Sequence, residues 1–218
     1  MSFTTLVNRR HFGKAYRAAR ESARLDPKNH NAWYRLALVA NLTGRHREAV
    51  RAGNRAVELG CGALKEGDVL RDHALWAIRH RQLEQAAEYV VAASRLHHND
   101  LNRVACLTMV QARLCYAHAD YWRAISLHEK ARETWRHLTR ADPQWIYNND
   151  CHLLKALVAC HGPDDERVRA LMDHIQESCP PGAKNRSAEA RLMLRLWRFG
   201  WRGEYVLSRL EEVRQRLR

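Results

Sequence analysis

The sequence predicts an all-α protein built from antiparallel helix hairpins, and three observations lead to that prediction. Apolar residues recur at intervals of three and four, which places them on one face of a helix. Only 10 of the 218 residues are Gly and 5 are Pro, while Ala, Leu and Arg are frequent, so the composition favours helix over strand. The helical pattern also repeats along the chain, with Ala at four equivalent positions. These are Ala15, Ala49, Ala86 and Ala124, which lie 34, 37 and 38 residues apart.

The clearest hairpin lies within residues 31–60. An apolar stripe at positions i, i+3, i+4 and i+7 indicates its first helix, over Trp33, Leu36, Ala37 and Ala40. Thr43 and Gly44 interrupt the pattern at a turn. The period then resumes on a second helix, over Ala49, Val50, Gly53, Ala56 and Val57, and Gly60 closes that helix.

These residues resemble a tetratricopeptide repeat (TPR). The shared features are a Trp, a Leu three residues later, a small residue after it, a Gly at the turn and Ala at the close-packing positions of the second helix. The interval of 34 residues between Ala15 and Ala49 is also the TPR period. The resemblance implies an all-α fold, a right-handed superhelix of antiparallel helix hairpins that forms a TPR-like α-solenoid.

The resemblance divides the chain unequally. We expect TPR-like repeats over residues 1–141, where the pattern matches. Over residues 142–218 only the rhythm of helix hairpins remains, and we expect degenerate hairpins that continue or cap the same array. Because stacked hairpins share one continuous core, a single domain is predicted.

Pro and Gly residues mark the other elements. Residues 5–26 are predicted to form the second helix of a truncated first unit, because Pro27 cannot continue a helix. A third pair is predicted over residues 68–96, after a loop at residues 61–67. A fourth is predicted over residues 101–138, with its turn at Ala119 and Asp120.

The pattern weakens after Pro143 but still predicts helices. One is expected over residues 145–158 and its partner over residues 168–175. Cys-Pro-Pro-Gly at residues 179–182 is the clearest break in the chain. A last pair is predicted over residues 187–199 and 204–217.

The sequence contains no catalytic or metal-binding motif that we can identify. The six Cys include no Cys-x-x-Cys pair, and Cys151 and Cys160 fall on opposite faces of one helix. Asp164, Asp165 and Glu166 precede a helix, where carboxylates act as caps. We therefore predict no enzyme activity, no metal and no cofactor. Because no apolar run is long enough to span a membrane and no secretory signal is apparent, we expect a cytoplasmic protein.

The TPR resemblance implies a binding surface on the concave side of the array. The first helix of each pair lines that side, and the candidate peptide-binding residues there are Asn31, Tyr34, Arg35, Leu38, Asn41, Arg71, Arg79, Arg113, Tyr116 and Lys155. Such a wall suits an acidic or extended peptide segment of a protein partner, because Arg pairs with carboxylates and Asn bonds the peptide backbone. The alternative is that some of these Arg pair with Asp68 and Asp72 of the same chain.

The net charge of +13 is the most unusual feature of the composition, and 31 of the 37 basic residues are Arg. Residues 1–60 carry 12 basic and 4 acidic side chains. Two basic stripes are predicted, one at Arg10, Lys14, Arg17 and Arg24, and the other at Arg191, Arg195, Arg198 and Arg202.

The sequence therefore predicts a non-catalytic adaptor or scaffold and leaves two alternatives open. The basic stripes suit binding of nucleic acid or of an acidic membrane surface, although they also suit solvated helices that cap the array. A self-assembling scaffold is the other alternative, in which the truncated first unit is completed by a neighbouring copy.

Overall fold

The structure is a computed structural model that describes residues 3–9, 11–97, 100–139 and 141–178. Within those ranges it contains ten α-helices and no strand, which confirms the predicted all-α class. The helices are α1 Phe3–Asn8, α2 Phe12–Leu25, α3 His30–Leu42, α4 His46–Glu58, α5 Ala63–Arg79, α6 Leu83–His97, α7 Leu101–Ala117, α8 Tyr121–Arg136, α9 Pro143–His161 and α10 Glu166–Glu177.

The chain divides into two compact units, Met1–Ala117 and His118–Arg218. Helices α1 to α7 belong to the first unit, and α8 to α10 belong to the second.

In the first unit, small residues let the helices approach closely. Buried Ala side chains occupy the facing positions of α2, α3 and α4, including Ala19, Ala40 and Ala56. Gly53 of α4 lies so close to α5 that a Cβ atom there would be 2.8 Å from Cγ1 of Val69. The hairpin of α3 and α4 turns at Gly44, whose φ of 77° is a left-handed conformation that Gly adopts readily. The predicted hairpin within residues 31–60 is confirmed.

Two predicted boundaries in this unit are wrong. The single helix expected over residues 5–26 is two helices, because Leu6 packs into the core formed by α2 and α3, together with the partly buried Phe3 and Val7. A continuous straight helix would carry these residues away from that core. The loop expected over residues 61–67 is also shorter than predicted, because α5 begins at Ala63 and includes Gly67.

The second unit follows the predicted pattern where it is described. The helix and partner expected over residues 145–158 and 168–175 are α9 and α10. Asp142 caps α9 by accepting a hydrogen bond from the backbone N–H of Gln144 at 2.8 Å, and Asp165 caps α10 in the same way, as predicted. Trp135, Tyr147 and Ile175 are buried between the three helices. The loop at residues 179–182 and the last predicted pair lie outside the described residues.

Candidate functional site

The candidate site of the first unit lies where α3, α5 and α7, the first helices of successive hairpins, are side by side. Side chains about one repeat apart contact each other there. Lys65 Nζ donates to Asn31 Oδ1 at 2.5 Å, and the Tyr34 hydroxyl donates to Asp68 Oδ2 at 3.1 Å. Arg103 Nη2 donates to the same Asp68 oxygen at 3.2 Å. The paired positions are 34, 34 and 35 residues apart, so this face repeats with the period of the array.

Asp68 is the centre of a buried ionic network on this face. Besides Tyr34 and Arg103, it accepts a hydrogen bond from Arg71 Nη1 at 2.9 Å. The other edge of the Arg71 guanidinium donates to Asp72 Oδ1 at 2.9 Å. Burial disfavours the charge on Arg71, but the carboxylates of Asp72 and Asp68 outweigh it and raise its pKa above the usual value. The network therefore holds Arg71 as a permanent cation inside the wall.

A concavity lies beside this network, between α3, α4 and α5. Its volume is about 420 Å³, including open solvent. Tyr34, Asn41 and Asp72 contribute polar groups to its lining, and Leu38, Val50 and Trp76 contribute apolar surface. Burial raises the pKa of the Tyr34 hydroxyl, and the nearby Asp68 carboxylate raises it further, so this hydroxyl stays protonated as a donor.

Two cations stand near opposite ends of α5. Lys65 Nζ lies 5.8 Å from the ring centroid of Tyr34. Arg79 Nη1 lies 2.7 Å from His46 Nε2, and His46 Nδ1 lies 3.0 Å from Asn41 Oδ1. Tyr34 and His46 both line the concavity, so each of these two cations lies beside a residue of its lining. At a rise of 1.5 Å per residue they are about 21 Å apart along the helix.

The structure brings together some of the predicted peptide-binding residues. Tyr34, Leu38, Asn41 and Arg71 line the concavity, while Asn31 contacts Lys65 and Arg79 contacts His46. Arg71, however, is only 8% exposed and takes the alternative arrangement, in which it pairs with Asp68 and Asp72.

The other predicted residues of this set lie elsewhere. Arg35 is exposed and its guanidinium carbon is 5.4 Å from the ring centroid of Phe3. Arg113 and Tyr116 are half-buried on α7. Lys155 is half-buried on α9, in the second unit. None of these four lines the concavity.

Sequence reasoning missed the residues that fix the site. The sequence indicates Asp68 and Asp72 only as alternative partners of the Arg residues. It does not indicate His46, His97 or Arg103 as residues of the site. His97 has no exposed surface and lies against Gly67, where an added Cβ would be 2.2 Å from its Nε2 atom. Burial lowers the pKa of His97, although Asp68, 3.7 Å away, opposes the change. The spacing of one repeat between Tyr34, Asp68 and Arg103 was the signal that would have found the network.

The predicted basic surface is described only in part. Lys14 and Arg17 are exposed on α2, and Arg24 is paired with Glu21 at 2.7 Å. Arg10, Arg191, Arg195, Arg198 and Arg202 lie outside the described residues.

Among the described residues, no group of three or more His, Cys, Asp or Glu side chains is arranged to hold a metal ion. No described helix combines the length and the apolar character that a membrane span requires.

Comparison with known proteins identifies the fold. No protein-family model matches the chain, and no curated protein matches it. A chain of the APC/C hetero-tetramer Cut9–Hcn1 aligns with a TM-score of 0.65 and 17% identity, over 86% of this chain and 34% of that chain. PilF of Pseudomonas aeruginosa aligns with a TM-score of 0.57 and 14% identity, over 90% of this chain and 88% of that chain. YrrB, described as a TPR protein with an unusual peptide-binding site, aligns with a TM-score of 0.48 and 16% identity, over 87% and 88%.

The fold of this chain is a TPR-like helical repeat, as the resemblance of residues 31–60 predicts. It spans about a third of the Cut9–Hcn1 chain that it matches.

Proposed function

We propose that this chain is a non-catalytic adaptor or scaffold that binds a protein partner through an extended peptide segment. The segment lies in the concavity between α3, α4 and α5 of the first unit. The observation that carries the proposal is this concavity, which combines polar and apolar groups in its lining with a cation beside Tyr34 and another beside His46. The TPR-like fold supports it, because such arrays present surfaces rather than reaction sites.

The distance between Lys65 and Arg79 gives the length of the segment. An extended chain covers about 3.3–3.6 Å per residue, so about six residues match the roughly 21 Å of helix axis between positions 65 and 79. Leu38, Val50 and Trp76 favour an apolar side chain near the middle of the segment. Carboxylates near its two ends would pair with Lys65 and Arg79, because charged hydrogen bonds are stronger than neutral ones.

The buried network prepares the wall for binding. Tyr34, Arg71 and Asn41 are held by Asp68 and Asp72, so the side chains of the wall need little reordering when a segment docks. Pre-organised groups lose less conformational entropy on binding.

Selection from a displayed library of random dodecapeptides tests the proposal with the full chain as bait. We expect enrichment of peptides that carry two acidic residues separated by an apolar one. Titration calorimetry with the best synthetic peptide then compares Arg79→Glu with the control Arg123→Glu, which makes the same charge change at an exposed residue of α8. The first variant is expected to weaken binding by about tenfold or more, and the control by less than about twofold.

Two results would reject this site. One is that no peptide is enriched over the bare matrix. The other is that Arg79→Glu and Lys65→Glu bind the selected peptide as tightly as the unchanged chain, which would place the peptide elsewhere.

A further inference from the structure

The outer surface of α2 and α4 carries five exposed cations that the proposed peptide site does not use. Lys14, Arg17 and Arg20 lie on α2, and Arg47 and Arg51 lie on α4; we call these five residues the outer basic face. Within the described part of the chain, no carboxylate forms an ion pair with any of them. The two acidic side chains exposed on these helices, Glu21 and Glu58, are already paired with Arg24 and Arg55 at 2.7 and 2.9 Å.

A contact between the helices joins these cations into one surface. The hydroxyl of Tyr16 on α2 donates to Glu48 Oε2 on α4 at 2.7 Å. The guanidinium of Arg45, just before α4, lies 4.3 Å from the ring centroid of Tyr16. Arg17 follows Tyr16 directly, and Arg47 precedes Glu48 directly. This contact therefore holds together the two helices that carry the cations.

The surroundings of this face favour a ligand bound by charge alone. The other exposed residues between the cations are small or polar, such as Gly13, Ala18 and Asn54. Leu25, at the end of α2, is the large apolar residue exposed on these two helices. A protein interface has an apolar core, and a helix that binds a bilayer inserts an apolar face. Here the apolar face of α2 is buried in the core of the first unit.

We propose that the outer basic face binds the phosphate backbone of a nucleic acid without reading its sequence. Arg guanidinium groups form paired hydrogen bonds with phosphate, and a row of cations on rigid helices follows a row of phosphates. Binding of this kind releases counterions and is strongly dependent on salt. The proposal is independent of the peptide site, because it involves other residues on other faces of the helices.

Fluorescence anisotropy with labelled 30-nucleotide DNA of mixed sequence, single-stranded and duplex, tests it on the full chain. The unchanged chain is expected to bind both at 50 mM NaCl and to weaken steeply by 200 mM. The double variant Arg17→Glu/Arg51→Glu is expected to weaken binding at 50 mM about tenfold or more. It should also reduce the slope of log affinity against log salt by about 2.

The matched control is Arg123→Glu/Arg169→Glu, which makes the same charge change at exposed residues of the second unit. It is expected to change affinity less than about threefold. Arg79→Glu should also leave DNA binding unchanged, which separates this proposal from the peptide site. Circular dichroism and a thermal melt establish that each variant is folded.

Four results would overturn the proposal. The first is that DNA does not bind at 50 mM NaCl. The second is that the control weakens binding as much as Arg17→Glu/Arg51→Glu. The third is that Arg195→Glu/Arg198→Glu abolishes binding while Arg17→Glu/Arg51→Glu has no effect. The fourth is that polyglutamate, or vesicles with 30% phosphatidylserine, bind this face more tightly than DNA and with the same sensitivity to Arg17→Glu/Arg51→Glu.

Discussion

Asp68 in the first unit and Asp150 in the second are both buried carboxylates, but their surroundings differ. Asp68 is 8% exposed and accepts hydrogen bonds from Tyr34, Arg71 and Arg103. Asp150 is 1% exposed, with Arg132 Nε at 3.2 Å and His174 Nε2 at 3.5 Å. Neither oxygen of Asp150 accepts a hydrogen bond of good geometry from the described residues. The more deeply buried carboxylate is thus the less well satisfied one.

Their electrostatic consequences differ accordingly. Burial raises the pKa of Asp150 above its usual value, and Arg132 and His174 oppose this rise without cancelling it. In the first unit, the carboxylates of Asp72 and Asp68 instead raise the pKa of Arg71, which stays charged. The number and direction of the hydrogen-bond donors, more than the depth of burial, therefore decide whether a buried charge stabilises the fold.

Substituting each of the two carboxylates tests this difference between Asp68 and Asp150 most directly. Asp68→Ala leaves the buried Arg71 with one carboxylate fewer and is expected to lower the free energy of unfolding by about 3–5 kcal/mol. Asp150→Asn is expected to change it by less than about 1 kcal/mol, because Arg132 and His174 are partly exposed and can turn to water. Urea unfolding followed by circular dichroism measures both. Equal losses in the two variants would mean that burial, and not the donor set, is the deciding factor.

The packing of His97 beside the Asp68 network gives a second test. In Gly67→Ala the new methyl group would overlap the buried imidazole, so we expect a loss of about 1–3 kcal/mol. Gly13→Ala is the matched control, since nothing lies within 4 Å of the added atom. Because Ala favours helix, the control should be neutral or stabilising by up to about 1 kcal/mol. If Gly67→Ala also proved neutral in the urea midpoint, His97 would not be fixed in this position.

The change of the free energy of unfolding with pH is the smallest expected effect. The contributions of the two units to this change should have opposite signs. Burial lowers the pKa of His97 and of His73 below 6.5, so the unfolded chain takes up these protons first. Their contribution to stability is complete above pH 6.5 and is lost as pH falls from there towards the folded pKa values, by at most about 1.4 kcal/mol per pH unit for each group.

Asp150 acts in the opposite direction. Because its folded pKa is raised above 3.8, its contribution is present below that pH and is lost as pH rises through the folded value. Urea unfolding of the unchanged chain and of Asp150→Asn between pH 4 and 7.5 separates the two effects. The advantage of the unchanged chain over the variant should shrink with rising pH, and an advantage that grew would contradict the raised pKa of Asp150.

The sequence predicted the hairpins better than the contacts between them. The periods at Trp33–Ala40 and Ala49–Val57 located α3 and α4, because a helix face is a local property. The sequence predicts a loop at Gly67, since nothing near it in the sequence reveals that His97 of another helix occupies the space that a side chain there would need. The break before Phe12 was missed for a similar reason, as it depends on Leu6 packing into a core formed by later helices.

The site was predictable in outline only. Tyr34, Leu38 and Asn41 line the concavity, but whether an Arg serves a partner or its own chain depends on contacts that span a whole repeat. Arg71 takes the second arrangement, since it pairs with Asp68 and Asp72 of its own chain. The proposed roles of residues 142–218, and whether copies of the chain associate, stay predictions that light scattering and truncation can test.

The contacts between equivalent positions also fix the order of the repeats. Tyr34, Asp68 and Arg103 occupy one column in three successive first helices, as donor, acceptor and donor. Deleting the hairpin of α5 and α6 would deprive Arg103 of the Asp68 carboxylate, and duplicating it would oppose two carboxylates. The units of this solenoid are therefore not interchangeable modules, and changes in their number during evolution would require compensating substitutions along that column.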